Sequence, residues 1–315
     1  MAEGLDVATL GEGLVVFDPA HPGPLRHVAA FTKRVAGAEV NVAVALARLG
    51  HRTAWSGRVG ADEFGAQVLG MLRAEGVDVS RAQTDPDAPT GIYFKEWSAP
   101  RRLAAAFYRT GAAGGRLAAG DLDHSLSARV LHLTGIPVAL SDTAADTVRT
   151  LADAAVARGT LLSFDVNMRH RLLAGRDPQR LLGPLARQAD LLFMSDAEAA
   201  VLTGGDDPEH VRRFLATARA RTAVVHGEHG CYAVHDGGVT EQDAFPVPVA
   251  DPVGAGDAFA AAFLSGLLRG EPVARCLRLA SAAGACAVSV PGDAESMPWP
   301  DALARLADRA DHVER

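Results

Sequence analysis

Lysine is almost missing from this sequence: among 315 residues only Lys33 and Lys95 occur. Recognition of a phosphate or carboxylate must therefore rest on Arg, His or backbone amides, and of the cations only Arg presents a planar fork of donors. Positive charge is short as well, with 31 Lys and Arg against 38 Asp and Glu and a formal charge of −7. That balance argues against a nucleic-acid partner, which calls for a basic face. Cysteine is scarce: Cys231, Cys276 and Cys286 are odd in number and show no Cys-x-x-Cys spacing. A disulfide framework and a zinc site are both disfavoured, and buried, reduced thiols are expected. No apolar run approaches the roughly 20 residues that span a bilayer. The N-terminus lacks a basic segment followed by an apolar run, so no signal peptide is expected and the protein is read as cytoplasmic, without a membrane partner.

Hydrophobic residues make up 48% of the chain and charged residues 22%, a balance that suits a globular protein with a sizeable core. The length fits one α/β domain over 1–315 with a small appendage. Apolar runs read as strands at 5–10, 53–59, 130–134, 160–166, 191–194 and 222–226. Between them, helices are expected at 35–50, 62–75, 141–158, 179–188 and 208–220. A hairpin at 232–247 and two Ala-rich helices at 255–269 and 273–288 complete the order. Strand alternating with helix implies a mostly parallel central sheet flanked by helices. Two stretches break the alternation. Residues 15–33 are irregular, with Pro19, Pro22 and Pro24, and 90–108 form two apolar runs around a polar centre, as a β-hairpin would. Together they can build a small sheet outside the main one.

The segment with the most chemistry is 251–264, DPVGAGDAFAAAFL. Gly254-Ala255-Gly256 is a turn of small residues that runs directly into a helix. Backbone N–H groups at a helix start are unpaired and the helix dipole is positive there, so the turn is a good anion hole. Asp257 sits at its edge. A carboxylate beside a transferring phosphoryl group is useful if it takes a proton from an attacking hydroxyl. It can equally serve as a helix cap, and chemistry alone leaves both roles open. A Walker A loop is excluded because neither Lys follows a glycine, and 11–16, GEGLVV, lacks the third glycine of a dinucleotide fingerprint. The HGEHG run at 226–230 lies in a turn and not on one helical face, which disfavours a metal site.

DPVGAGDAF resembles the C-terminal signature of the ribokinase-like (PfkB) carbohydrate kinases, Asp-Thr-x-Gly-Ala-Gly-Asp. AGAEVNVAVALARLG followed by GRVGADEFG resembles the family's first signature, a Gly-rich turn, a helical Asn and Gly-x-x-Gly-x-Asp-x-x-Gly. The resemblance runs from Asp6 to the last helices. It implies a ribokinase-like fold with a small β-sheet lid made of 15–33 and 90–108, and a kinase that moves the γ-phosphoryl group of ATP onto a small carbohydrate, with Mg²⁺ as cofactor and a monovalent cation as a further candidate. It makes Asp257 the catalytic base beside Gly254, Ala255 and Gly256. It puts Gly37, Asn41, Tyr93, Phe107, Arg109, Asn167 and Arg169 on the sugar side.

Ser195-Asp196-Ala197-Glu198 resembles the family's Asn-x-x-Glu with Ser for Asn. Glu198 is thereby implied to act on Mg²⁺ through water, although Ser195 and Glu198 also satisfy a helix capping box. Gly227 and Gly230 resemble the nucleotide-binding Gly-x-x-Gly turn, and Ser281 joins them on the nucleotide side. Some sugar-acid kinases carry Lys-Arg before that turn; Val225 and His226 stand here, which leaves His226 to supply part of the basic role.

Residues 107–114, FYRTGAAG, are similar to the Tyr-Tyr-Arg-x-Gly-Ser-Ala-Gly of 2-keto-3-deoxygluconate kinases, and 165–169, DVNMR, to their Asp-Val-Asn-x-Arg. Two Arg forks suit a carboxylate, whereas Arg169 paired with Asp165 and Arg109 turned to solvent would be structural. Fructose, ribose, 5-dehydro-2-deoxygluconate and nucleosides remain as other substrates, and a silent sugar- or nucleotide-binding regulator as a different class. Apolar side chains such as Ile92 and Phe94 are expected on the outer lid face, where burial against a second copy would give a homodimer or a multiple of one.

Overall fold

The computed structural model describes residues 4–99, 102–118 and 127–308. Its main sheet has eight strands. In chain order these are β1 (Val7–Leu10), β4 (Thr53–Ser56), β9 (Val130–Thr134), β10 (Leu161–Asp165), β11 (Leu191–Ser195), β12 (Thr222–His226), β13 (Gly230–His235) and β14 (Gly238–Asp243). The spatial order is β14-β13-β12-β11-β10-β9-β1-β4. Pairing is parallel from β4 to β12 and antiparallel only at the β12–β13–β14 edge. Strands β1, β4 and β9 are buried at every position, as expected of parallel strands covered on both faces by helices.

One cluster of buried apolar residues joins the sheet to the helices Ala38–Arg48, Ala255–Leu268 and Val273–Val288. The other lies beneath Asp142–Arg158, Pro178–Gln188 and Pro208–Leu215. The Ala-rich composition of the first group has a packing reason. A Cβ on Gly266 would sit 2.9 Å from Cys276 Sγ, so these helices approach closely through small residues.

A second sheet contains β2 (Leu14–Pro19), β3 (Phe31–Ala36), β7 (Gly91–Ala99) and β8 (Arg102–Tyr108), in the order β3-β2-β7-β8. The short β5 (Arg58–Gly60) and β6 (Gln83–Asp85) pair with each other. The expected strand at 53–59 is therefore two strands in different sheets. The stretch 15–33 is also more regular than its prolines suggest. Pro19 closes β2, while Pro22 and Pro24 lie in the connection, which holds only a 3₁₀ turn at Leu25–His27. The helix expected from 35 starts at Ala38, because Val35 and Ala36 extend β3 in register with Val15 and Leu14. The helix expected to 220 stops at Leu215.

The two faces of the four-stranded sheet differ by the period-2 alternation of strands. Tyr93, Lys95 and Phe107 alternate with Ile92, Phe94 and Tyr108. Ile92 and Phe94 are half-buried and not exposed: Phe94 stacks on Phe17 at 4.9 Å and meets Phe31 edge-on at 5.4 Å, and Ile92 packs on the main core. Tyr108, 65% exposed, is the open aromatic on that face. Of the thiols, Cys231 and Cys276 are buried and Cys286 is half-buried. Among the described residues no helix is long and apolar enough to cross a membrane.

Candidate active site

Ligands of parallel sheets bind beyond the carboxyl ends of the strands, and the singled-out residues gather there. Gly254 caps the helix Ala255–Leu268 in the left-handed region, with φ of 83°, and a Cβ on it would lie 3.0 Å from Met297 Cε. The turn before it is held by the Val253 N–H, which donates to Asp251 Oδ1 at 3.1 Å. Asp257 is the third residue of the helix and is buried. The Asn41 amide donates to its Oδ2 at 2.7 Å. Burial pushes the Asp257 carboxyl up to about 6, against the Asn41 hydrogen bond and the Arg169 charge, while Asp293 adds to the rise. A carboxylate in that range is a serviceable proton acceptor near neutral pH.

In front of Asp257 lies a cavity of about 620 Å³ whose lining includes Gly37, Asn41, Tyr93, Phe107, Arg109, Arg169 and Gly254. Gly37 opens the helix Ala38–Arg48 with φ of 135°, and a Cβ there would fall 2.3 Å from the Glu12 carbonyl oxygen. No side chain fits that position. Phe107 stacks on Tyr93 at 4.8 Å, and the Arg109 guanidinium lies 4.3 Å over the Phe107 ring. Arg109 does not point to solvent: it donates to Glu12 Oε2 at 2.8 Å and its side chain is 9% exposed. Arg169 is exposed at the mouth; among the described residues it makes no side-chain hydrogen bond or close ion pair, and its charge acts at longer range on Asp165 and Asp257. Its expected structural partner Asp165 instead accepts from the Asn167 amide at 3.2 Å. Asn167 is buried, with φ of 38°. Burial raises Asp165 well above the carboxylate range, and the charges of Glu198 and Asp257 add to this.

Glu12, Glu39, Lys95 and Asp293 also line the cavity, and motif reading missed all four. Glu39 carried a signal, being the one acid in an Ala/Val-rich helix start. Burial pushes it up to about 8, against a hydrogen bond from Thr134. Glu12 Oε1, Glu39 Oε2, Asn41 Oδ1 and Arg109 Nε are buried with no hydrogen-bond partner among the described residues. Unpaired buried polar atoms are costly, and four on the wall of one cavity fit a ligand rich in hydroxyl groups.

Beyond Asp257 the strand ends of β11 and β12 meet. Ser195 and Glu198 form a full capping box, and Glu198 Oε1 accepts from the Met168 N–H at 2.5 Å. Both Glu198 oxygens are thus held by backbone amides, since Oε2 accepts from the Ser195 N–H at 2.7 Å. Gly227 and Gly230 close a turn, the Gly227 N–H donating to the Gly230 carbonyl at 2.8 Å. A Cβ on Gly227 would lie 1.8 Å from Asp196 Oδ2, so any larger residue there would have to displace the exposed Asp196 side chain. This turn edges a shallow groove of about 220 Å³. Ser281 flanks it, donating to the Asp243 carbonyl at 3.1 Å.

His226 ends β12, and its Cε1 lies 3.6 Å from where a Gly256 Cβ would stand. Burial lowers its pKa, against the charges of Glu198 and Asp196. The imidazole is therefore mainly neutral at pH 7 and can offer a hydrogen bond but not the charge of a basic pair. Among the described residues no three His, Cys, Asp or Glu side chains are gathered to hold a metal ion.

The family model described as pfkB family carbohydrate kinase matches residues 5–300. The 2-dehydro-3-deoxygluconokinase of Thermoproteus tenax is 40% identical over 303 residues, covering 94% of this chain and 92% of that protein. The enzyme of the same name from Bacillus subtilis (strain 168) is 34% identical over 321 residues, covering 99% and 98%. Among solved structures, a putative ribokinase II in complex with ATP and Mg²⁺ from E. coli superposes with a TM-score of 0.90 at 26% identity, covering 97% of this chain and 100% of that one.

Proposed function

This chain belongs to the pfkB family of carbohydrate kinases, and we propose that it transfers the γ-phosphoryl group of ATP to a hydroxyl of 2-keto-3-deoxygluconate (2-dehydro-3-deoxygluconate). The observation that carries the reading is Asp257, buried at a helix start with a pKa near 6, between a cavity rich in unpaired polar atoms and the Gly227–Gly230 turn. The similarity to two kinases of that substrate supports the choice of sugar acid.

The sugar acid enters the 620 Å³ cavity. Its hydroxyl groups meet Asn41 Oδ1, Glu12 Oε1 and Glu39 Oε2, and its carboxylate meets Arg169. Asp257 takes the proton of the attacking hydroxyl, which raises the nucleophilicity of that oxygen as the phosphoryl group departs from ADP. The backbone amides of Gly254, Ala255 and Gly256, at the positive end of the helix dipole, stabilise the charge that develops on the phosphoryl oxygens. Ser195, Gly227, Gly230 and Ser281 bind the nucleotide, and His226 contributes a neutral hydrogen-bonding group there. Tyr93, Phe107 and Arg109 form one wall of the sugar site. Asn167 supports it from behind, through Asp165.

Mg²⁺ fits the acidic strand ends. Burial raises Asp165, and the negative charges of Glu198 and Asp257 add to the rise; a cation offsets that added repulsion, and Glu198 is fixed on backbone amides. These two would hold the ion through water, and when bound it supplies charge neutralisation of the ATP phosphates. The four-stranded sheet acts as a lid over the cavity, within one domain that spans the chain. We place the enzyme in the cytoplasm and its lid face against a second copy. An ADP-release assay with Mg-ATP over a panel of sugars and sugar acids tests the reading. A neutral hexose, pentose or nucleoside as best substrate would overturn the sugar acid, and no turnover on any of them would overturn the kinase.

A further inference from the structure

One of the two lysines in the chain, Lys95, is fully buried. It stands on β7, on the inner face of the four-stranded sheet. Its Nζ donates to Asp251 Oδ2 at 2.6 Å and to Asp293 Oδ1 at 2.8 Å, and lies 3.7 Å from Asp18 Oδ1. These carboxylates come from three separate places. Asp251 begins the turn that leads to Gly254 and holds it through the Val253 N–H. Asp293 stands at the N-cap position of the 3₁₀ turn Ala294–Ser296, which leads into Met297, whose Cε would lie 3.0 Å from a Cβ on Gly254. Asp18 is on β2 and is shared with Arg34 at 3.1 Å. The remaining oxygens are also engaged: Asp293 Oδ2 accepts from the Tyr93 hydroxyl at 2.5 Å and Asp251 Oδ1 from the Val253 N–H at 3.1 Å, while Asp251 Oδ2 accepts a second bond from the Gly292 N–H at 3.4 Å.

A buried lysine with no task is improbable on energetic grounds, because taking an ammonium out of water is costly unless it is fully paired. Lys95 is fully paired. Burial alone would lower its pKa, but Asp293 and Asp251 outweigh that and leave it raised, so the side chain stays charged. An apolar residue of similar size would fill the space more cheaply only if the acids were absent as well. The acids hold the turn of the anion hole, so the cluster ties a fixed positive charge to that turn.

We propose that Lys95 is a positioning residue for phosphoryl transfer: its ammonium acts as a resident monovalent cation that joins the lid to the two loops shaping the anion hole. The proposal rests on the kinase reading. Three carboxylates converging on one buried ammonium at the cavity wall form a cage suited to a monovalent cation. Here the lid supplies that cation covalently, and the shape of the anion hole follows lid attachment. Displacing the Gly254 turn by even 1 Å would misplace the N–H groups aimed at the transferring phosphoryl, an error that can reduce rate by about 10²-fold.

The test is phosphorylation of 2-keto-3-deoxygluconate by the full chain with Mg-ATP in tetramethylammonium buffer. NH₄⁺, K⁺ or ethylammonium is then added. The variants are Lys95→Ala, which opens the cage, and Lys95→Met, which fills it without charge. The wild type should run at full rate without an added monovalent cation and change less than about twofold when one is present. Both variants should lose about 10²-fold in kcat. Ammonium or ethylammonium should restore Lys95→Ala at least about tenfold and leave Lys95→Met unmoved, a selectivity that a general loss of stability would not produce. The proposal is overturned by wild-type-like kcat in Lys95→Ala, by a loss that no cation moves, or by equal rescue of both variants. If neither variant folds, the wild type still decides: activation by K⁺ or NH₄⁺ of more than about fivefold would sink the idea. A wild type inactive on every sugar would instead count against the kinase reading.

Discussion

The Asn41 amide nitrogen and Asp257 Oδ2 are 2.7 Å apart although 216 residues separate them in sequence. This hydrogen bond joins the first helix after the four-stranded sheet's β3 to the helix that begins at the anion hole. It stabilises the ionised form of a carboxyl group that burial would otherwise keep protonated still higher on the pH scale. The side chain proposed as the base is thus oriented by the helix that borders the sugar cavity, and its acidity is set jointly by the two halves of the chain.

Asp257→Asn keeps the shape and the Asn41 contact but cannot accept the proton. Its kcat should fall by roughly 10²–10⁴, the usual share of a general base, with ATP affinity by calorimetry nearly unchanged. Turnover close to wild type in that variant would remove Asp257 from the proposed role.

The same group sets a pH dependence of opposite sign for rate and for stability. The base must be ionised, so kcat/KM should fall below a pKa of about 6. For stability, the folded pKa lies above the unfolded value of 3.8, so the folded state binds more protons between about pH 4 and 6. Stability is then lost as pH rises through that window, and the loss persists above it. A rise from 3.8 to about 6 corresponds to about 3 kcal/mol. Asp257→Asn should therefore be the more stable protein at pH 7 by up to that amount and equal to wild type at pH 4. Urea melts at both pH values measure it, and equal stability at pH 7 would contradict the burial account.

How far the sequence carries is visible in which residues it picked out. Gly37, Asn41, Arg109, Arg169, Gly254 and Asp257 converge on one cavity as the motifs implied, with Asn41 and Asp257 in the first turns of the two helices that start there. Periodicity found the parallel strands because they are continuous apolar runs. It placed 15–33 in the small sheet but read the stretch as irregular, because Pro19 ends β2 and Pro22 and Pro24 stand in the connection to β3. The partners of the buried charges were out of reach for a different reason. Glu12 with Arg109, Lys95 with Asp251 and Asp293, and Thr134 with Glu39 are pairings across 95 to 198 residues. No local pattern signals them. The lowered pKa of His226 likewise arises from packing that its neighbours in sequence do not reveal.

The lid carries a prediction about assembly. Tyr108 is 65% exposed on the outer face, beside the half-buried Phe94 at a ring separation of 5.9 Å. Aromatic groups of this kind anchor interfaces, and Tyr108→Ala should weaken a lid-to-lid dimer by roughly 2 kcal/mol. Light scattering at micromolar concentration should show a dimer or a multiple for the wild type and a shift toward monomer for the variant. A monodisperse wild-type monomer would end the lid-interface reading.

The two arginines of the proposed sugar site differ in what already holds them, and this separates a carboxylate clamp from a structural pair. Arg109 is committed to Glu12 at 2.8 Å and lies over the Phe107 ring. Removing it leaves a buried Glu12 unpaired and loosens the Phe107–Tyr93 wall, which would harm every substrate. Arg169 is exposed at the mouth, with no side-chain hydrogen bond or close ion pair among the described residues. Its charge is available to a ligand, and a charge-assisted contact of this kind is worth roughly 2–3 kcal/mol. Arg169→Ala should therefore lower kcat/KM for 2-keto-3-deoxygluconate by about 10²-fold. For a neutral sugar that is phosphorylated weakly, at a pH well above the Asp257 pKa so that loss of the Arg169 charge leaves the base ionised, it should change the value by less than about threefold, since no carboxylate contact is lost. Arg109→Ala should lower both alike and lower the melting temperature as well. Kinetic constants for the two variants on the two substrates decide the matter. Equal losses for Arg169→Ala on acid and neutral sugars would make that residue structural and remove the physical basis for a sugar-acid preference. The transfer chemistry proposed at Gly254–Asp257 would be untouched by that result.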